Sequence, residues 1–284
     1  MRSPVFPPDR VTVMGVVNVT PDSFSDGGAF WTAGSVDVEA AVAHALALER
    51  DGAHVLDVGG ESTRPGAATL DAAAEVARVL PVIEALAKSS ALPISVDTRK
   101  AAVARAALAA GARIVNDVSG GLHDSALLCA VAERDADLVI GHLRGEPATM
   151  QSAPRFADVL AEVIDELGAC VARAEAAGVA AARIAVDPGI GFGKDEQHNL
   201  ILLANAGRIG EALGKPVLVG ASRKAFLGRI TGDPADRRDT ATVAAHAIAV
   251  FAGANAIRVH DVGAGVRAAA VGAALRRARA ESLR

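Results

Sequence analysis

The sequence of 284 residues is poor in cysteine and in aromatic side chains. Its two cysteines, Cys129 and Cys170, cannot form a disulfide framework and cannot alone make a structural zinc site. Both lie in alanine- and valine-rich segments, where we expect inert packing. The chain has seven phenylalanines, one tryptophan and no tyrosine, so the positions of these few rings carry information.

Neither sign of charge is in large excess, and no apolar run is long. The balance of 29 Lys and Arg against 33 Asp and Glu gives a formal net charge of −4. This balance argues against a nucleic-acid partner and against an anionic membrane surface. Charges and glycines interrupt every apolar stretch before it reaches membrane-spanning length, and residues 1–10 lack the apolar segment of a signal peptide. We therefore expect a cytoplasmic protein without a membrane partner.

What the sequence does have is a recurring unit of a short apolar run, a polar loop and an alanine-rich helix. Apolar residues make up 51% of the chain, enough for a large core. The predicted strands cover residues 11–17, 55–58, 94–96, 114–115, 138–140, 184–186, 216–219 and 256–259. The first five predicted helices cover residues 37–51, 71–88, 99–110, 125–134 and 157–177, and further helical stretches follow the last three strands.

Eight such units without a break in composition predict one α/β domain over residues 1–284. The strands are continuously apolar, as parallel strands buried on both faces are. Eight βα units favour a closed (β/α)8 TIM barrel over an open doubly wound sheet. The loops after the first and second strands are long, and we expect them to be mobile when the protein is empty.

A polar residue follows or ends each apolar run. These residues are Asn18, Asp57, Asp97, Asn116, His142, Asp187, Ser222 and His260. Any one of them could be a turn residue that caps a strand. In a barrel, however, the carboxyl ends of all strands meet at one mouth, where the chemistry is done. Together they predict a polar site at that mouth.

Two carboxylates and an amide, from Asp97, Asp187 and Asn116, predict recognition of a flat heteroaromatic ligand. A carboxylate matches a guanidine-like edge with two hydrogen bonds. The alternative is a divalent metal ion held by the same oxygens. Lys224 at the same mouth would compete with a cation, so we favour the ligand. For Asp97 a further alternative is that it caps the following helix.

Glycine-rich and cationic loops predict an anionic ligand, such as phosphate or pyrophosphate. Residues 59–66 combine free backbone N–H groups, hydroxyls and Arg64, and residues 222–224 add two cations. Arg258 and His260 alternate on the last strand, so both point into the barrel. Residues 189–194 have neither the dinucleotide nor the Walker spacing. Their glycines instead suggest close approach to a flat ligand, with Phe192 as one wall.

The few aromatic residues are concentrated near these motifs. Phe24, Phe30 and Trp31 fall in the first long loop, and Phe192 and Phe226 flank other motifs. This clustering predicts that most of the rings lie beside the mouth.

Several of these segments resemble dihydropteroate synthase, the folate-pathway enzyme family. The strings Asn-Val-Thr-Pro-Asp-Ser-Phe at 18–24 and Glu-Ser-Thr-Arg-Pro-Gly at 61–66 are specific to it. The other matching segments are 95–98, 116–121, 187–194, 222–224 and 258–261. They run in order from the first strand to the last, so the resemblance covers nearly the whole chain.

The resemblance implies a transferase that joins p-aminobenzoate to 6-hydroxymethyl-7,8-dihydropterin pyrophosphate and releases pyrophosphate. The C–O bond to pyrophosphate would break first, and the arylamine would then attack. The implied pterin-binding residues are Asp97, Asn116, Asp187, Phe192, Gly220 and Lys224. The implied pyrophosphate-binding residues are Asn18, Thr63, Arg64, Arg258 and His260. The implied p-aminobenzoate-binding residues are Thr63, Pro65, Phe192, Ser222 and Lys224.

The resemblance further implies a catalytic group of Asp97, Asp187, Lys224 and Arg258, and Mg²⁺ bound at Asn18. It also implies a homodimer, which we place on the last helices, and a sulfonamide target. Two positions depart from the family pattern: Gly141 stands where Met precedes the fifth-strand His, and Ala221 stands where Thr or Ser is common. Two alternatives remain, a pterin-binding methyltransferase module and a non-catalytic paralogue.

Overall fold

The computed structural model describes residues 4–7, 10–21, 30–32, 35–62, 69–146, 149–152 and 154–282. Ten strands and ten helices lie within these ranges. The strands are Thr12–Asn18 (β1), Trp31–Thr32 (β2), Ser35–Val36 (β3), Val55–Gly59 (β4), Ile94–Asp97 (β5), Ile114–Asp117 (β6), Asp137–Gly141 (β7), Ile184–Asp187 (β8), Leu218–Val219 (β9) and Ala256–Val259 (β10). The two short strands β2 and β3 pair with each other in an antiparallel hairpin.

Each barrel strand is followed along the chain by one helix, or by two after β8 and β9. The helices are Val38–Arg50 (α1), Ala72–Ser89 (α2), Ala101–Ala109 (α3), Ala126–Glu133 (α4), Val159–Ala176 (α5), Glu196–Ala204 (α6), Ala206–Leu213 (α7), Ala225–Thr231 (α8), Asp239–Phe251 (α9) and Val262–Ser282 (α10). Aspartates at 37, 71, 158 and 195 begin four of them by accepting hydrogen bonds from first-turn N–H groups. In the described part of the chain, no helix combines the length and apolar character needed to cross a membrane.

The remaining eight strands form a parallel sheet in the order β8-β7-β6-β5-β4-β1-β10-β9. A single bridge between Val186 and Val217 joins the two ends of this order. The sheet therefore closes into a barrel, and the predicted (β/α)8 architecture is confirmed. Much of the long loops predicted to be mobile lies outside the described residues, at 22–29, 33–34 and 63–68.

Both faces of the barrel strands are buried, which explains why the strands read as continuous apolar runs. Alternate residues such as Val17, Val58 and Val96 point outward into the main core between strands and helices. The other set points inward and forms a separate apolar layer. That inner layer comprises Met14, Val55, Ile114, Val139, Ala185, Leu218 and Ala256, with Val5 and Phe6 packed against it. It forms the floor of the site.

Candidate active site

On several barrel strands the inward-facing residue is apolar in the floor and polar two residues further along the strand. Side chains of a strand alternate between its faces, so residues two apart share a face. Ile114 is followed by Asn116 on β6, Ala185 by Asp187 on β8, and Ala256 by Arg258 on β10. The polar side chains therefore sit directly above the apolar floor. This alternation is why polar residues could be predicted at the mouth from the sequence.

The strand register brings the predicted residues of β1, β5 and β6 to one level. Asn18 pairs with Gly59, Gly59 with Asp97, and Asp97 with Asn116. A Cβ at Gly59 would lie 3.5 Å from Asn18 Oδ1 and 3.5 Å from Asp97 Cβ. A side chain at position 59 would therefore fill the gap between two candidate ligand-binding side chains, which Gly59 leaves free.

Arg258 is the centre of a buried ion-pair network. Its Nε donates to Asp57 Oδ2 at 2.6 Å, and its Nη2 donates to Asp97 Oδ2 at 2.9 Å. Asn116 Nδ2 donates to the same Asp57 oxygen at 3.1 Å. Burial raises the pKa of Asp97 to about 7, although the Arg258 guanidinium acts in the opposite direction. For Arg258, burial lowers the pKa, but the carboxylates of Asp57 and Asp97 outweigh it and the net shift is upward.

The interpretation of Asp97 as a helix cap finds no support in this geometry. The first backbone N–H of α3 donates to Asp124 Oδ2 at 2.8 Å, so Asp124 and not Asp97 caps that helix. Among the described residues, no group of three or more His, Cys, Asp and Glu side chains is placed to hold a metal ion. Asp97 instead faces the guanidinium of Arg258.

Asp187 and Lys224 line the opposite side of the mouth. Asp187 Oδ1 accepts a hydrogen bond from the Gly189 backbone at 2.7 Å. Burial raises the pKa of Asp187, and the nearby Lys224 opposes that shift. Burial lowers the pKa of Lys224 to about 8, although Asp187 acts in the opposite direction. The ammonium of Lys224 donates to the Ile190 carbonyl and lies 4.4 Å from the centroid of the Phe192 ring.

Gly191 allows this approach of Lys224, and Gly220 lies between Arg258 and Asp187. Gly191 has a φ of +81°, and a Cβ there would lie 2.9 Å from Lys224 Cδ. A Cβ at Gly220 would lie 3.7 Å from Arg258 Cβ and 3.9 Å from Asp187 Oδ2. The glycine-rich segment after β8 thus lies against the mouth, with Phe192 beside Lys224.

Ser222 and His260 meet at the mouth between β9 and β10. Ser222 Oγ lies 2.9 Å from His260 Nδ1 and accepts a hydrogen bond from the His260 backbone N–H at 3.2 Å. Arg223 points elsewhere, because its Nε donates to Asp239 Oδ1 on α9 at 2.7 Å. The predicted residues Thr63, Arg64 and Pro65 lie outside the described residues.

A second buried network supports the segment after β8, and no pattern in the sequence predicts it. Lys194 is 1% exposed, and its Nζ lies 2.8 Å from His142 Nδ1 and 2.9 Å from the Phe192 carbonyl oxygen. On its other side, His142 Nε2 lies 2.9 Å from Glu166 Oε2 on α5. Burial and the neighbouring Lys194 lower the pKa of His142 to about 4. The His142 ring is therefore uncharged and supports Lys194 from inside the protein. Lys194 contacts this ring and a backbone carbonyl rather than facing the mouth.

Charged residues also hold the base of the loop after β4. Lys100 forms ion pairs with Glu75 on α2 and, at 3.0 Å, with Glu61. Glu61 Oε1 in turn accepts a hydrogen bond from the Leu70 backbone at 2.9 Å. Glu61 thus connects the two ends of the loop. No pattern in the sequence distinguishes Glu75 from the solvated acidic residues of other helices, although it is fully buried.

Two sequence interpretations need correction. The prediction that the rings gather at the mouth is wrong for Phe226 and Phe30, which are 2% and 8% exposed and belong to the main core. Phe226 lies in the first turn of α8 and packs into the core between strands and helices. The Phe30 ring lies beside the His44 ring, with centroids 5.1 Å apart. Gly141 also does more than remove a side chain from the site, because the backbone packs closely against it. A Cβ there would lie 2.6 Å from Val118 Cα, so a larger residue requires the backbone to move.

Comparisons with known proteins identify the family of the chain. Residues 14–260 match the family described as pterin binding enzyme. The chain is 48% identical over 265 residues to dihydropteroate synthase of Mycobacterium leprae, covering 91% of each chain. Dihydropteroate synthase of Yersinia pestis, solved with a sulfonamide drug complex, superposes with a TM-score of 0.90 at 39% identity and covers 95% of this chain and 96% of that one.

The Xanthomonas albilineans dihydropteroate synthase, solved with 7,8-dihydropteroate, superposes with a TM-score of 0.81 at 42% identity. The match covers 95% of this chain and 94% of that one. The chain therefore belongs to the pterin binding enzyme family. Its activity within the family is that of a dihydropteroate synthase, a transferase that makes dihydropteroate.

Proposed function

We propose that the chain condenses 6-hydroxymethyl-7,8-dihydropterin pyrophosphate with p-aminobenzoate to give 7,8-dihydropteroate and pyrophosphate. The observation that carries this proposal is the buried Arg258 guanidinium beside the carboxylate of Asp97 at the mouth. One group suits a leaving diphosphate, and the other suits a guanidine-like ring edge. The complex of the Xanthomonas albilineans enzyme with 7,8-dihydropteroate supports the assignment.

The pterin ring would lie between the two carboxylates of the mouth. Asp97 and Asp187 would accept hydrogen bonds from its N–H groups, and Asn116 would contribute its amide. Lys224 would face the ring carbonyl, with Phe192 as a wall. Gly220 would leave the ring room, since a Cβ there would lie 3.9 Å from Asp187 Oδ2.

The diphosphate would lie on the side of β1 and β10. Arg258 and His260 alternate on one strand and supply a guanidinium and a ring N–H. Asn18 ends β1 at the level of Asp97. Thr63 and Arg64, by the family resemblance, would close on the diphosphate from the loop after β4.

The p-aminobenzoate would occupy the outer part of the mouth. Ser222 and Lys224 follow β9 and lie beside His260 and Phe192, respectively. Thr63 and Pro65 would complete this pocket. A sulfonamide that mimics p-aminobenzoate would compete for it; the Yersinia pestis dihydropteroate synthase is solved with a sulfonamide drug complex.

In the reaction, the C–O bond to pyrophosphate would break before the new C–N bond forms. The electron pair leaves with pyrophosphate, and the positive charge spreads over the dihydropterin ring. Asp97 and Asp187 favour that charge, and Arg258 and His260 stabilise the leaving anion where its charge develops. The arylamine nitrogen then attacks the methylene carbon and releases one proton. No covalent intermediate with the enzyme is required.

Asn18 fits a Mg²⁺ ion that is bound together with the diphosphate. Mg²⁺ keeps several waters and binds through one or two protein oxygens plus substrate phosphates. The Oδ1 atom of Asn18 lies near the open space above Gly59, 3.5 Å from where a Cβ would stand. When bound, Mg²⁺ would offset charge on the leaving diphosphate.

We further propose a cytoplasmic homodimer. Apolar side chains on α9 and α10 are more than half exposed, namely Ile248 (52%), Val271 (56%) and Leu275 (53%). A second copy could cover them, and sedimentation velocity of Leu275→Glu should then show a monomer. Cys129 and Cys170 are both free thiols, which is typical of proteins in a reducing compartment.

One experiment tests the activity directly. Purified protein should release pyrophosphate only when p-aminobenzoate, the pterin diphosphate and Mg²⁺ are all present, and mass spectrometry should find 7,8-dihydropteroate. A non-catalytic paralogue would bind the pterin without releasing pyrophosphate. A methyltransferase module would bind methyltetrahydrofolate instead.

A further inference from the structure

Asp57 is a carboxylate deep inside the barrel that the reaction does not directly use. It lies on β4 two residues before Gly59 and is fully buried. Its Oδ2 accepts hydrogen bonds from both Arg258 Nε and Asn116 Nδ2. Its Oδ1 has no hydrogen-bond partner among the described residues.

Stability alone does not explain this arrangement. Replacing a buried ion pair by apolar residues of similar volume is often neutral or stabilising. An unpaired buried carboxylate oxygen is costly. The floor directly below is built of apolar residues, so an apolar side chain would suit position 57 if packing were its only purpose.

The contacts of Arg258 suggest what Asp57 does. Arg258 Nη2 is bound to Asp97 Oδ2, on the same carboxylate that would receive the pterin ring. Two-pronged recognition of the ring uses both oxygens of Asp97. The ring therefore competes with Arg258 for Asp97, and the diphosphate attracts the guanidinium. The bond from Nε to Asp57 leaves the terminal nitrogens free to change partner.

Asp57 also fixes the amide of Asn116. Because Asn116 Nδ2 donates to Asp57, its Oδ1 is directed away from Asp57 and is available to a ligand N–H. One carboxylate oxygen thus contacts both a pterin-binding and a pyrophosphate-binding residue.

We propose that Asp57 is a positioning residue that holds Arg258 by Nε while the terminal guanidinium nitrogens exchange Asp97 for the leaving diphosphate. The inference rests on the proposed function of Arg258 and Asp97. Without Asp57 the guanidinium would remain on Asp97, where it would both oppose ring binding and fail to reach the diphosphate.

The test is a double-mutant cycle on Asp57 and Arg258. Asp57→Asn keeps the shape but removes the charge, and we expect kcat to fall about tenfold to a hundredfold, more than KM for p-aminobenzoate changes. In the Arg258→Ala background, the same change should cost less than about twofold, because the residue it acts through is gone. Equal losses in both backgrounds would overturn the proposal.

Ser95→Ala is the matched control. Ser95 pairs with Asp57 in the sheet register, is fully buried, and its Oγ has no hydrogen-bond partner in the described part of the chain. Removing it takes a buried polar atom from the same layer without touching Arg258, so kcat should stay within about twofold. A loss as large as that of Asp57→Asn would show that any change in this layer impairs the site.

A binding measurement separates this inference from the proposed function. Calorimetry with pyrophosphate and Mg²⁺ should show about tenfold weaker binding to Asp57→Asn than to wild type, whether or not the wild type is active. If the wild type makes no dihydropteroate, the proposed function fails, and unchanged pyrophosphate affinity defeats the inference alone. If Asp57→Asn does not fold, Arg258→Lys can be tested instead, because it keeps the positive charge but lacks Nε. Full kcat in that variant would refute the proposal that Asp57 holds Arg258 by its Nε.

Discussion

Burial and the Arg258 guanidinium act on the pKa of Asp97 in opposite directions. Burial prevails and raises its pKa to about 7, so the carboxylate that would receive the pterin ring forms only as the pH rises through that value. We predict that pterin affinity of the wild type increases from about pH 6 to about pH 8. Calorimetric titration with a pterin at several pH values measures it, and constant affinity over this range would contradict it.

Asp97→Asn should remove that pH dependence and weaken pterin binding. The variant loses a charge-assisted hydrogen bond, which we estimate at about 1.5–3 kcal/mol. The same titration at about pH 8 measures the loss, with circular dichroism to show that the variant is folded. Near wild-type affinity in a folded variant would remove Asp97 from the pterin site.

The positions of Asp97, Asn116, Asp187 and Arg258 could be predicted because strand alternation fixes the face on which a side chain lies. Their partners could not. The bond between Asp57 and Arg258 joins residues 201 positions apart, and it depends on the barrel bringing β4 and β10 to either side of β1. Lys194 follows a glycine-rich stretch, and nothing local shows that its ammonium turns inward to His142.

At the scale of an element, a buried lysine, Lys194, is one of the residues that hold the segment between β8 and α6. Burial lowers the pKa of Lys194 to about 7, although Asp187 acts in the opposite direction. Above that pH the folded state keeps Lys194 neutral, whereas the unfolded state binds a proton up to about pH 10. Unfolding then takes up a proton, so stability rises with pH in this window. The penalty for burying the charge is fully present below about pH 7.

We therefore predict that the stability of the wild type relative to Lys194→Met increases between about pH 7 and about pH 10. Urea unfolding of both proteins across this range measures the difference in their free energies of unfolding. The contributions of the other titrating groups cancel in this difference. Lys88→Met is the control, because Lys88 at the end of α2 is exposed and its head group stays in water in both states. If the difference in the free energy of unfolding between wild type and Lys194→Met does not change with pH, the pKa of Lys194 is not lowered in the folded state.

The eight barrel strands and the first five helices were predicted to within about two residues, because apolar runs and helix-capping aspartates mark their ends. The β2–β3 hairpin and the pairs of helices after β8 and β9 were not predicted. The strand predicted at 216–219 is shorter in the structure, where β9 is Leu218–Val219. The Val217 backbone N–H donates to the Asn255 side chain at 3.0 Å instead of to a neighbouring strand. The pattern of apolar residues in the sequence does not show that a side chain, rather than a neighbouring strand, accepts this backbone hydrogen bond.

At the scale of the whole molecule, p-aminobenzoate is expected to bind second. Its proposed pocket draws Ser222 and Phe192 from the barrel and Thr63 and Pro65 from the loop after β4. Pyrophosphate and Mg²⁺ would attract Arg64, and the loop would then complete the pocket. We predict that p-aminobenzoate binds the empty protein much more weakly than the protein with pterin, Mg²⁺ and pyrophosphate. Equal calorimetric affinities would show a pocket that is already formed.

The closing bridge of the barrel has a consequence for its breathing motions. Between β8 and β9 there is a single bridge, with Val186 N–H donating to the Pro216 carbonyl at 2.9 Å. Local opening of the native state should be easiest at this seam, so the amides of β9 should exchange with deuterium faster than those of β5. Asp187 ends β8 and Lys224 follows β9, so a pterin bound to both would connect the two edges. The ligand should therefore slow exchange in β9 more than in β5, and the barrel would be most fully closed when its substrate is inside.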